Sequence, residues 1–96
     1  MKNTVKRLLA GILALMVLAA PGALADLERG DRGDDVAVLQ QLLFECGWLF
    51  ELPDGIFGGN TQAAVRDFEE YAGLTVDGIA DDEMIYELAV QLRLMR

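Results

Sequence analysis

"DGIFGGNT", residues 54–61, decides how this chain folds, because its first three residues return as Asp77-Gly78-Ile79. Set one over the other, "DGIFGGNTQAAVRDF" and "DGIADDEMIYELAVQ" each read as a loop corner followed by an amphipathic helix, with Val65 in register with Leu88. Glycine after aspartate suits a turn position at positive φ, and the aspartate carboxylate can bond nearby backbone amides. The isoleucine is expected to turn inward and start the next packed element. The repeat therefore reads as a structural corner used twice, ahead of a metal loop or a phosphate cradle.

Outward from the corners, three apolar stripes recur at spacings of three and four, the signature of helices with one buried face. Val36, Leu39, Leu42, Leu43 and Cys46 form the first, entered through Asp34 and Asp35, so a helix is expected over about 34–46. Ala64, Val65, Phe68 and Tyr71/Ala72 form the second, with Gly58 or Asn60 as its cap and Gly73 as its close. Met84, Ile85, Leu88, Leu92 and Met95 form the third, entered through Asp81-Asp82-Glu83. No segment alternates steadily, and at most short extended pairs are expected around Leu52 and Val76. The fold class is all-α, a compact three-helix bundle. The connection "GWLFELPDGIF", 47–57, holds Trp48, Leu49, Phe50, Leu52, Ile56 and Phe57, and is expected to pack onto the helices as a long apolar loop.

The first 25 residues stand apart. Lys2, Lys6 and Arg7 precede the apolar run Leu8–Ala20, then Pro21 and an Ala23-x-Ala25 cleavage pattern, which together read as a secretory signal peptide. The run falls short of the roughly 20 residues of a comfortable membrane span. Residues 26–96 are then the exported domain, with no membrane attachment after cleavage. All sixteen acids lie there against five arginines, a net charge of about −11, which disfavours nucleic acid and anionic lipid as partners. Cys46 is the single cysteine, so no internal disulfide is possible, and its place on the apolar face points to a buried, inert thiol.

The ordered set of short patterns resembles the three-helix peptidoglycan-binding domain found on bacterial cell-wall hydrolases. It comprises Gly30-x-x-Gly33-x-Asp35-Val36-x-x-Leu39-Gln40, Gly47 followed by an aromatic residue, and Asp54-Gly55-Ile56-Phe57-Gly58-x-x-Thr61. Ala64-Val65-x-x-Phe68 and Gly73-Leu74-x-Val76-Asp77-Gly78 complete it, and the resemblance covers about 27–92. The chain departs from the pattern at Glu51, where glycine is usual, and at Asp81–Ile85, where Gly-x-x-Thr-Trp is usual. The resemblance implies a secreted, non-catalytic module that binds peptidoglycan at the wall or in the periplasm, as a monomer and with no cofactor. The alternative is a protein-interaction or regulatory module that contacts a cell-wall hydrolase or another exported protein.

Four residues are candidates for ligand contact. Trp48 could stack on a sugar face, or it could pack the loop. Arg66 could bind a stem-peptide carboxylate through a bidentate pair, or it could pair with Asp67, Glu69 or Glu70. Asp54 and Thr61 could touch ligand, or they could serve the turn and the start of the helix. No metal is expected: zinc would need histidine or cysteine in number, and Asp77, Asp81, Asp82 and Glu83 do not follow the calcium-loop spacing. No catalytic residue is expected, since the chain has no histidine to activate Cys46. "RGD" at 32–34 is read as a by-product of the helix start.

Overall fold

The computed structural model describes residues 26–95; the expected signal peptide, 1–25, lies outside them. Three helices follow one another, α1 (Asp34–Glu45), α2 (Gly59–Ala72) and α3 (Asp82–Met95), each in contact with the other two. Their bounds follow from local chemistry. Asp34 and Asp35 occupy the first turn of α1, and Asp82 and Glu83 that of α3, where unpaired amides and the helix dipole favour negative charge. Asp81 caps α3 through its carboxylate, which accepts the Met84 N–H at 2.9 Å. α2 ends at Gly73, and the Leu74 N–H turns back to the Glu69 carbonyl at 2.9 Å.

The apolar core takes Val36, Leu39 and Leu43 from α1, Ala64, Val65 and Phe68 from α2, and Met84 and Leu88 from α3. Leu49, Phe57 and Ala80 from the connections close it. At roughly 1.5–3 kcal/mol for each large side chain fully buried, this cluster is what holds a disulfide-free domain of this size.

Two isolated antiparallel bridges, Leu27 with Ala80 and Arg32 with Ile56, replace the extended pairs expected near Leu52 and Val76. Both use the segment 27–33 as a strap across the two corners. Leu27 and Ala80 exchange backbone bonds of 3.0 and 2.8 Å, Phe57 bonds Gly30 and Asp31 at 2.9 Å each, and the Gly33 N–H reaches the Gly55 carbonyl at 2.9 Å.

Three expectations need correction. The isoleucine of the first corner does not turn inward: Ile56 is 44% exposed, and its neighbour Phe57 is the buried residue. The same offset holds in the second corner, where Ala80 is the buried residue after Ile79. The strap bonds the backbone of Phe57 in the first corner and of Ala80 in the second, and these are the residues whose side chains are buried. The 47–57 loop packs only in part, with Leu49 and Phe57 buried but Phe50 87% and Leu52 75% exposed. Cys46 is half-buried rather than sealed, its Sγ 3.7 Å from the Leu88 carbonyl oxygen.

Candidate functional site

Gln40 organises the first corner. It sits on the apolar stripe of α1, 3% exposed, and reaches across to the Asp54 turn. Its Oε1 accepts the N–H groups of Asp54 and Gly55 at 3.0 and 2.8 Å. Its Nε2 lies 3.0 Å from Asp54 Oδ1, 2.9 Å from the Ile56 carbonyl oxygen and 3.0 Å from Thr61 Oγ1. The two amide hydrogens are therefore shared among three acceptors. Asp54 Oδ1 also accepts the Ile56 N–H at 2.9 Å. These bonds, that from Ile56 first and that from Gln40 second, hold the exposed Asp54 carboxyl below its ordinary pKa. Gly55 is required at the apex: its φ is +76°, and a Cβ there would stand 3.3 Å from the Gly33 carbonyl oxygen.

Beside this corner lies a groove of about 140 Å³ between the loop and the start of α2. Leu49, Leu52 and Ile56 give it apolar lining, and Glu51, Asp54, Asn60 and Thr61 give it polar lining. Glu51 accepts a hydrogen bond from the Asn60 side chain, which fixes one carboxylate at the rim. The walls carry two acids and no base. Such a groove suits hydroxyl and N–H donors or an amine, and it disfavours a free carboxylate.

The four residues singled out from the sequence do not converge. Asp54 and Thr61 meet at Gln40, in a turn-and-helix-start role. Trp48 stands elsewhere, between α2 and α3. Its ring meets Phe68 edge-on at 5.6 Å and Tyr71 at 5.2 Å, and its Nε1–H donates to Gln91 Oε1 at 2.6 Å. These contacts use its N–H and part of its ring for packing. Arg66 lies beside the second corner, its Cγ 3.4 Å from where a Gly78 Cβ would be; the Ile79 N–H chiefly holds the Asp77 carboxyl below its ordinary pKa, and the Arg66 charge adds the smallest contribution. Sequence reasoning missed Gln40, Glu51 and Asn60. Gln40 was the findable one, as a polar residue inside an apolar stripe.

The putative peptidoglycan-binding domain family matches residues 32–88, more than half of the chain. The chain belongs to that family. Among relatives of this peptidoglycan-binding domain, the spore cortex-lytic enzyme of Bacillus cereus is 44% identical over 54 residues, 56% of this chain and 21% of the enzyme. The N-acetylmuramoyl-L-alanine amidase CwlM of Mycobacterium tuberculosis is 41% identical over 56 residues, 58% of this chain and 14% of the amidase. The chain thus spans about a fifth or less of the length of these relatives. The crystal structure of the SleB N-terminal domain superposes with a TM-score of 0.69 at 36% identity, covering 72% of this chain and 94% of that one. A Clostridium acetobutylicum protein, a fused zinc-dependent amidase/peptidase with a peptidoglycan-binding domain, gives a TM-score of 0.63 at 33% identity, over 66% of this chain and 28% of that one. The match covers nearly all of that N-terminal domain and only a small part of the enzymes.

Proposed function

We propose that this chain is a secreted, non-catalytic module that binds peptidoglycan through the groove beside the first corner. Family membership carries the reading, and the groove supplies a place for it. Loop 47–57 and the start of α2 offer apolar lining for sugar-ring or methyl groups and acceptors for hydroxyl and acetamido N–H groups. Export to the wall rests on the leader at 1–25. The enzymatic activities in the relatives' names are not carried over, because the chain covers so little of them.

The test is co-sedimentation with purified sacculi. The parent protein is expected in the pellet, with Glu51→Ala and Leu52→Ala binding several-fold more weakly and Arg66→Ala close to parent. Pure protein should leave the turbidity of a wall suspension unchanged. A parent protein that stays in the supernatant at low and moderate salt refutes the reading. The exposed Phe50 and Leu52 favour a second reading, a docking face for a cell-wall hydrolase or another exported protein. Recovery of such a partner by the parent but not by Phe50→Ser, with no binding to sacculi, would select it.

A further inference from the structure

The two corners share their backbone and differ in the side chain that anchors them. Gly55 and Gly78 have φ of +76° and +75°. Asp77 Oδ1 accepts the Ile79 N–H at 2.9 Å, as Asp54 Oδ1 accepts that of Ile56. One buried oxygen, Glu69 Oε1, accepts the N–H groups of Asp77 and Gly78 at 3.1 and 2.9 Å, as Gln40 Oε1 does for Asp54 and Gly55. At the first corner the other half of the anchor is an amide nitrogen that donates to the aspartate. At the second corner the corresponding atom of the anchor is a carboxyl oxygen, which donates a hydrogen bond only when it carries a proton.

We propose that Glu69 is held as the neutral acid, its O–H donating to the Asp77 carboxylate in place of an amide, so that the second corner is a pH-sensitive clasp. Loss of that proton to solvent leaves two carboxylates on one turn, one of them 2% exposed. The surroundings do not relieve this. Asp81 and Glu83 from the start of α3 line a recess of about 50 Å³ with Glu69, while Leu74 and Thr75 add no charge. Arg66 of α2 acts on Asp77, and Arg29 of the strap reaches the neighbouring Gln62 Oε1 at 3.5 Å. Burial first, then the bond and charge of Asp77, push the Glu69 carboxyl up from 4.5 to about 7, against the pull of the two backbone N–H groups. The Asp77 carboxyl is held below its ordinary value, by the Ile79 N–H first and Glu69 second.

A carboxyl raised on folding contributes stability that is whole below its unfolded pKa and is lost as pH rises through the folded one. Here the window runs from 4.5 to about 7. The folding equilibrium should weaken by up to tenfold per pH unit within it, on the order of a hundredfold in total. The chain has no histidine, the side chain whose ordinary titration falls at the neutral end of this window.

Urea unfolding of the purified protein from pH 5 to 8 tests the clasp, together with a carbon-13 carboxyl titration of the folded protein. The expected result is a midpoint that falls with pH in the parent, a flat profile in Glu69→Gln, and a Glu69 carboxyl titrating near neutrality. Asp77→Asn should lower that titration toward the ordinary range. A Glu69 carboxyl that titrates in the ordinary range overturns the proposal, whether or not Glu69→Gln folds. So does a Glu69→Gln profile that follows the parent.

Discussion

Gln40 and Glu69 differ by one nitrogen for one oxygen, yet they anchor two turns of the same shape in chemically different ways. Gln40 comes from α1, 14 residues before its turn, and is satisfied at any pH by Asp54, Gly55, Ile56 and Thr61. Glu69 comes from α2, eight residues before its turn, and depends on its proton. The repeat in the sequence therefore encodes the turn alone, while each turn's anchor is supplied by whichever helix face lies opposite. An uncharged anchor also leaves Asp54 as an exposed carboxylate next to an open groove, whereas the second corner turns both its acids on its own backbone amides.

The comparison can be broken most severely at Gln40. Gln40→Ala leaves two turn amides without their shared acceptor and removes a buried side chain, so a loss of about 2–3 kcal/mol is expected in urea denaturation at any pH. Gln40→Glu sharpens the comparison, since it should give the first corner the falling stability through neutral pH that is expected of the second.

The two turn glycines come next. Gly55→Ala should cost ~1–2 kcal/mol and Gly78→Ala somewhat less, read as thermal midpoints. Both need a left-handed backbone, but a Cβ at 55 meets the Gly33 carbonyl oxygen, while one at 78 meets only side-chain atoms of Gln62 and Arg66, which adjust more readily than backbone. Equal costs would mean that the strap is freer to move than its backbone bonds imply. At the small end, Phe50→Ser should change stability by less than about 0.5 kcal/mol, because the ring is 87% exposed.

The helices were legible because each apolar stripe is long enough to show its period, and Val36, Leu39 and Leu43 or Ala64, Val65 and Phe68 all fall inside. The anchors were harder to see. Glu69 stands next to Glu70 and looks like a solvated face, although it follows Val65 by four and Phe68 by one on the buried side. Its use, like that of Gln40, depends on a turn brought opposite by the tertiary fold, which no local period encodes. The loop failed for the opposite reason. Its apolar composition was plain, but with no regular period nothing distinguished Leu49, which is buried, from Phe50 and Leu52, which are not. Of the candidate site, Asp54 and Thr61 were found together, while the groove's Glu51 and Asn60 came only from the spatial approach of the loop to α2.

The strap at 27–33 gives the domain a direction of mechanical weakness. A load drawn through the chain on the N-terminal side reaches the Leu27–Ala80 bridge first, then the bonds at Gly30 and Asp31, then that at Gly33. The second corner would lose its backbone partner before the first, and the groove beside Asp54 would be the last of the two sites to feel the pull.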